Sequence, residues 1–276
     1  MLHLPTVIIG ATGKTGRRIA ARLEAEGSPV RRGSRGSDTP FDWENRATWA
    51  TALEGTRAAY ISYFPDLAFP GAVETVGALA AAARAAGVER LVLLSGRGEH
   101  HAQQGEEAVL AAGVPTTRLR CAWFAQNFSE GYLRDPILSG VLPMPGGDVA
   151  EPILDVDDIA EVAANALTYY GTENQFYELT GPRLMTFAEM AAGLSQATGR
   201  SVRHAPITFE QFHAGLAEGA GASVADVFTA IARETLDGRN AVVCDGVERA
   251  LGRPAKDFAD FAHAAARAGA WPAMAA

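Results

Sequence analysis

Lysine is nearly missing from this chain: of the 24 basic residues only Lys14 and Lys256 are lysines. Chemistry that needs an ammonium group therefore has two places to find it. Cysteine is as scarce, with Cys121 and Cys244 far apart and no CxxC pair. That excludes a disulfide framework and a cysteine zinc site. No apolar run approaches the roughly 18 residues of a membrane helix. A basic excess is missing too: 24 Lys+Arg against 32 Asp+Glu leave a net charge of −8. Duplex nucleic-acid binders need a net basic face to displace phosphate counterions, so that class is excluded. Met1 to Gly10 is too short, and too soon interrupted by Pro5 and Gly10, for a signal peptide. A reduced cytoplasmic compartment is the expectation, with no membrane or nucleic-acid partner. His3, His204, His213 and His263 show no metal spacing with one another or with carboxylates, so no metal is expected. A G-x-S-x-G nucleophile elbow is absent, which argues against serine hydrolase chemistry.

What is present is an ordinary globular composition, with 276 residues, 48% apolar and 20% charged. That length predicts about one and a half to two domains. Val7-Ile8-Ile9 is a short β-branched run ending at Gly10, followed by a helical stretch from Lys14 to Glu26. Val30 opens a second strand, and Ala58 to Phe64 reads as a buried one. Ala72 to Ala86 reads as a helix, Leu91 to Leu94 as the most apolar strand, Gln104 to Ala112 as a helix and Thr116 to Phe124 as a strand. Gly27, Gly87 and Gly113 stand where helices must stop, and glycine takes the left-handed cap without steric cost. Strand–helix alternation at this pitch predicts an α/β fold with a doubly wound parallel sheet. After Asn127 the texture changes. Leu142 to Gly147 reads as a loop, Asp157 or Asp158 as the cap of a helix carrying Ile159 and Val162, and Phe176 to Leu179 as one more strand. Thr186 with Glu189 and Thr208 with Gln211 have capping-box spacing. Residues 183–276 read as mostly helical, with Gly215, Gly219 and Gly221 marking a loop.

The informative motif is Gly10-Ala-Thr12-Gly13-Lys14-Thr15-Gly16, which follows a strand directly and opens a helix. Glycines there allow a tight turn and the close approach of a pyrophosphate, which meets the free amides and positive dipole end of the helix. The spacing is GxxGxxG rather than GxGxxG. A P-loop would need a glycine five residues before Gly13, where Ile8 stands inside the strand. NAD readers place Asp or Glu at the end of the second strand to hold the ribose 2′-hydroxyl. Here that region is Val30-Arg-Arg-Gly-Ser-Arg35, without an acid before Asp38. Arg35 with Lys14 suits a 2′-phosphate, and one charge-assisted contact gives about one to two decades of preference for NADP. Asp42 either contacts the adenine edge or caps its own loop. The expected division is an NADP-binding domain over residues 1–135 and 150–181, and a smaller, mainly helical, substrate-side domain over 136–149 and 182–276.

Five segments come in a telling order: VIIGATGKTGRR from residue 7, RLVLLSGRG from 90, AAGVPTTRLRCAWFAQNF from 111, ILDVDDIAEVAANAL from 153 and YELTGPRLMTFAEMA from 177. Together they resemble the NmrA-like branch of the atypical short-chain dehydrogenases/reductases, most strongly over residues 5–200. The resemblance implies a Rossmann domain with a small C-terminal lobe and a substrate cleft between them, in a monomer or homodimer. It also implies activities that range from NADPH-dependent reduction of quinones and triphenylmethane dyes to cofactor sensing without turnover. The nicotinamide is then expected near Ser62 to Pro65, with Phe64 as a wall, near Ser95 to Arg97, and near Trp123, Asn127 and Phe128. Each of these aromatics has ordinary core packing as its alternative.

Most short-chain dehydrogenases use a Tyr-x-x-x-Lys pair, in which lysine lowers the tyrosine pKa. None of the six tyrosines here has lysine four residues on, and ether-reductase relatives carry theirs near the position of Ala102 to Gln104. That departure argues against reduction of unactivated ketones and favours hydride transfer to an electron-poor, conjugated acceptor, where positioning supplies most of the rate effect. A proton then comes from water or from His100 or His101, which follow Ser95; His101 and Ser95 are the candidate catalytic residues. The rival expectation is a redox sensor that acts through a protein partner.

Overall fold

Thr6–Ile9 is extended because all four residues are β-branched, and all four are buried. The computed structural model describes residues 4–169 and 171–272; His3 and Tyr170, both used in the sequence readings, lie outside the described residues. In chain order the elements are β1 (Thr6–Ile9), α1 (Lys14–Ala25), β2 (Val30–Ser34), β3 (Thr39–Pro40), α2 (Ala47–Leu53), β4 (Ala58–Ile61), α3 (Ala72–Ala85), β5 (Arg90–Gly96), α4 (His100–Ala111) and β6 (Thr116–Cys121). There follow α5 (Asn127–Glu130), α6 (Arg134–Leu138), β7 (Val141–Met144), β8 (Ala150–Glu151), α7 (Val156–Thr168), β9 (Phe176–Leu179), β10 (Met185–Thr186) and α8 (Phe187–Thr198). The chain ends through β11 (Arg203–Pro206), α9 (Phe209–Ala220), α10 (Ala222–Thr235), α11 (Gly246–Leu251) and α12 (Phe258–Arg267).

Seven strands form one sheet in the order β3-β2-β1-β4-β5-β6-β9. Its ladders run parallel, with Ile9 opposite Gly33 on one side and Ile61 on the other. Two backbone bonds, Arg118 N–H to Gln175 and Ala122 N–H to Leu179, advance together along β6 and β9, so the last pair is parallel as well. This is the doubly wound α/β sheet expected from the alternation.

The chain divides into two compact units. The first comprises Met1–Cys121, Asp157–Glu178 and Arg249–Gly252. Its core joins the apolar faces of β1, β4 and β5 to α2, α3 and α4, with Trp49, Leu79 and Leu93 among the buried side chains. The second comprises Ala122–Val156, Leu179–Glu248 and Arg253–Ala276. Its core is built from helices and two short ladders, and Phe128, Phe187, Phe258 and Trp271 are buried in it.

Several boundaries differ from the sequence pattern. β4 stops at Ile61, so Phe64 lies beyond the sheet and is 68% exposed. α4 starts at His100 rather than near Gln104, which puts both histidines in its first turn. Leu142 to Met144, the first part of the stretch read as a loop, belongs to strand β7, in parallel register with β11. Proline is tolerated there because this two-stranded ladder has open edges. Gly215 and Gly219 lie inside α9; the helix ends only at Gly221, where φ is +87°. Both capping boxes form as spaced, from Thr186 to Glu189 and from Thr208 to Gln211.

Candidate functional site

The strand order turns back at β1, with β2 and β3 on one side and β4, β5 and β6 on the other. In open parallel sheets the carboxyl ends at such a reversal leave a crevice where ligands bind. Gly10 follows β1 and Ser62 follows β4, and they meet there: a Cβ on Gly10 would lie 3.2 Å from Ser62 Cβ. Gly10 has φ +82°, and its carbonyl accepts the Gly13 N–H at 2.9 Å. A Cβ on Gly16 would come within 2.2 Å of that same carbonyl oxygen, so only glycine lets α1 start this close to β1. Gly13 occupies the N-cap of α1 with no side chain to offer, and the first turn holds no acid. Thr12 and Gly13 are exposed. The result is an anion cradle made of main chain at a positive dipole end.

Thr15 contributes differently. It is 3% exposed, and its hydroxyl accepts a 2.8 Å hydrogen bond from the Tyr60 phenol. Thr15 therefore offers an anion its backbone alone, while its side chain pegs the helix to the sheet. Burial pushes the Tyr60 phenol far above its usual pKa, against the lowering effect of that hydrogen bond, so it stays a neutral donor. Sequence reasoning missed Tyr60; the available signal is one tyrosine inside an otherwise apolar strand.

The three arginines in and just after the second strand separate cleanly. Arg31 donates to the carbonyls of Ala52 and Glu54 at the end of α2, at 3.0 and 2.5 Å. Arg32 grips Glu24 with two hydrogen bonds of 3.1 and 2.8 Å. Arg35, just past β2, is exposed and has no hydrogen bond or ion pair among the described residues. Gly33 ties this strand end to the glycine turn, its carbonyl accepting from the amides of Gly10 and Ala11. Lys14 sits half-buried in the first turn of α1. Asp42 accepts the Glu44 amide on its side chain and the Trp49 indole N–H on its carbonyl, and so holds its own loop.

Near the end of β5, Ser95 is buried and donates to Glu106 at 2.7 Å. Glu106 in turn accepts three bonds from Arg120, two from Nε and one from Nη2, at 2.8 to 3.1 Å. That network ties α4 to β5 and β6 and leaves the Ser95 hydroxyl committed. His101 is exposed, with Nδ1 3.3 Å from the Gln104 amide oxygen. Cys121 is buried, and burial pushes its thiol well above the ordinary range.

In the second unit, the Trp123 indole donates to Thr235 at 3.1 Å. Phe128 is 2% exposed and packs edge-on against Phe258, with ring centroids 5.2 Å apart. Its side chain is therefore core. Asn127 is half-buried, and its amide group makes no hydrogen bond among the described residues. Sequence reasoning also missed Gln126: it is buried, donates to Asp155 at 2.8 Å and accepts the Val156 amide at 2.8 Å, which fixes this segment to the start of α7. Among the described residues no group of three or more His, Cys, Asp or Glu side chains could hold a metal, and no helix is long and apolar enough to cross a membrane.

No protein-family model matches the chain. Among characterised relatives, an NAD(P)H azoreductase of Xenophilus azovorans is 32% identical over 284 residues, covering 95% of this chain and 98% of its own. A (4-alkanoyl-5-oxo-2,5-dihydrofuran-3-yl)methyl phosphate reductase of Streptomyces griseus is 31% identical over 276 residues, covering 92% and 95%. Among solved structures, the NADPH-dependent quinone oxidoreductase QOR2 of Escherichia coli in complex with NADPH superposes with a TM-score of 0.74 at 22% identity, covering 93% of this chain and 98% of that one. With relatives this similar along nearly their whole length, the chain belongs to the NmrA-like family of atypical short-chain dehydrogenases/reductases.

Proposed function

We propose that this protein is an NADPH-dependent oxidoreductase that reduces a flat, electron-poor small molecule of quinone, conjugated-enone or dye type. The observation that carries the reading is Arg35. Of the three arginines in and just after the second strand it alone has no partner among the described residues, and it follows closely on Gly33, whose carbonyl is bonded to the glycine turn at the reversal of the sheet. A main-chain turn whose Gly16 lets α1 start hard against β1, with an arginine just past the second strand, fits a dinucleotide carrying a 2′-phosphate. When bound, that cofactor supplies a hydride.

The chain's own residues divide the remaining work. Gly10, Thr12, Gly13, Thr15 and Gly16 hold the diphosphate, Thr15 by its amide. Arg35 and Lys14 read the 2′-phosphate, and Asp42, Ser62 and Phe64 border the cofactor. Asn127, with its amide uncommitted, orients the acceptor, and Trp123 provides a flat wall. Ser95 acts as a positioning residue through Glu106, and His101, open to solvent, passes a proton to the reduced product. The relatives named for azo, dihydrofuranone and quinone reduction support this acceptor class.

The test is steady-state NADPH oxidation with a panel of quinones, enones and azo dyes. Turnover with one of them, and a higher affinity for NADPH than for NADH, is the expected result. Failure to retain either dinucleotide would sink the reading. The missing Tyr-x-x-x-Lys pair favours a second reading, a cofactor-reading regulator acting through a protein partner. Tight NADPH binding without turnover on any acceptor would select it.

A further inference from the structure

β5 ends at Gly96, which pairs with Cys121 across the ladder to β6. The Arg97 amide continues that ladder, donating to the Cys121 carbonyl at 3.0 Å. Successive strand residues point to opposite faces. Ser95 points at Glu106 on α4, so a side chain on Gly96 would leave the sheet on the other face. That place is taken. A Cβ on Gly96 would lie 2.1 Å from Glu99 Oε1 and 2.5 Å from Oε2, and beyond its chain neighbours the three nearest atoms all belong to the Glu99 carboxyl group.

Glu99 has a more ordinary use within reach. It stands at the N-cap of α4, where an acidic side chain can accept the first helical amides, yet it makes no side-chain cap hydrogen bond. His100 and His101, which follow it, both turn to Gln104. The half-buried Glu99 carboxyl group instead lies back against the strand end. Cys121 senses it there: burial first, and then the Glu99 charge, push the thiol up. All of these residues belong to the first unit.

The strand order gives the position a use, which rests on the dinucleotide reading above. On that reading the diphosphate lies at the end of β1, and Arg35, past β2, takes the adenosine side. The other half of the cofactor then runs toward β4 and β5. Gly10 and Ser62 meet on that side of β1. β5 lies two strands over, about 10 Å across the sheet, and projects further, since Ile9, Ile61 and Leu93 are level with one another. Beyond the diphosphate, the next polar groups of the cofactor are the two neighbouring hydroxyls of the nicotinamide ribose. Carboxyl oxygens accept from such a pair, as an acid past the second strand does for the adenosine ribose of NAD. We propose that Glu99 binds the nicotinamide-ribose diol, placed for it by the room that Gly96 leaves.

Three probes titrated calorimetrically into the full-length protein test this. NADPH carries the diol and the ring, 2′-phospho-ADP-ribose carries the diol without the ring, and adenosine 2′,5′-bisphosphate carries neither. Glu99→Ala should weaken the first two by the same factor, about tenfold to a hundredfold, and leave the third unchanged. Gly96→Ala drives a Cβ into the carboxyl group without backbone strain, since Gly96 is not in the left-handed region. It should reproduce the selective loss at about tenfold, and it carries the test if Glu99→Ala does not fold. A loss confined to NADPH would put Glu99 at the nicotinamide ring. An equal loss for all three probes would make it a support of the fold, and no loss would make it a solvated side chain; each of these overturns the proposal. A parent protein that binds none of the three would overturn the dinucleotide reading itself, and this inference with it.

Discussion

The turn Gly10–Gly16 and the segment Trp123–Phe128 each follow a strand of the main sheet, and they are built on opposite principles. The first works because side chains are missing. Thr12 and Gly13 are exposed at the start of its helix, and a single methyl group at Gly16 would collide with the Gly10 carbonyl. The second is crowded with side chains already in use: Trp123 on Thr235, Gln126 on Asp155 and Val156, and Phe128 in the core. Even the Phe128 carbonyl accepts the Trp271 indole N–H at 3.0 Å. A site made of backbone keeps its function separate from the core. A site made of side chains shares its residues with the core, and few of them remain to touch a ligand.

That contrast can be broken by four substitutions. The largest effect belongs to Phe128→Ala. Deleting a ring that is 2% exposed should cost about 3–5 kcal/mol of stability in a denaturant titration. A stable variant with altered substrate preference would instead make Phe128 part of a ligand wall. Arg35→Ala comes next. The loss of one charge-assisted contact should lower the NADPH-to-NADH affinity ratio by about one to two decades, with stability unchanged. A ratio that stays put would mean that Arg35 is only a solvated edge. Gly16→Ala is third: forcing Cβ to within 2.2 Å of backbone should cost about 1–3 kcal/mol and weaken dinucleotide binding. Gly13→Ala is its control. There the nearest atom is 3.2 Å away, and a shift of tenths of an ångström relieves it.

The same division governs what could be read without the structure. The glycine turn was legible because the spacing of three glycines between a strand and a helix is a local rule, and local rules survive tertiary folding. What could not be read locally is that Arg31 and Arg32 are already engaged while Arg35 has no partner among the described residues, since those commitments run to residues 8 to 23 positions away. Tyr60 was invisible, because its partner Thr15 lies 45 residues earlier. β7 carries Pro143, and only its long-range partner β11 makes it a strand. The start of α4 was misplaced because Glu99 provides no side-chain cap hydrogen bond for sequence reading to find. Phe128 looked like a ligand wall because an aromatic beside Asn127 has the same sequence signature whether it faces a cleft or a core.

Asn127 gives the smallest effect and the sharpest one. Its neighbours Gln126 and Phe128 are both buried and engaged, yet its own amide group is half-buried and makes no hydrogen bond. Removing a side chain that holds nothing should cost the fold within about 0.5 kcal/mol, so Asn127→Ala should melt like the parent protein. If the amide orients the acceptor, its loss removes one hydrogen bond, and KM for the acceptor should rise about threefold to tenfold with KM for NADPH unchanged. A purely structural role would show the reverse, a lower melting temperature with both KM values intact. Equal KM values and an unchanged melt would leave the segment with no ligand-facing polar group. The acceptor would then be held by flat apolar contact alone, and the side-chain half of the comparison would fail.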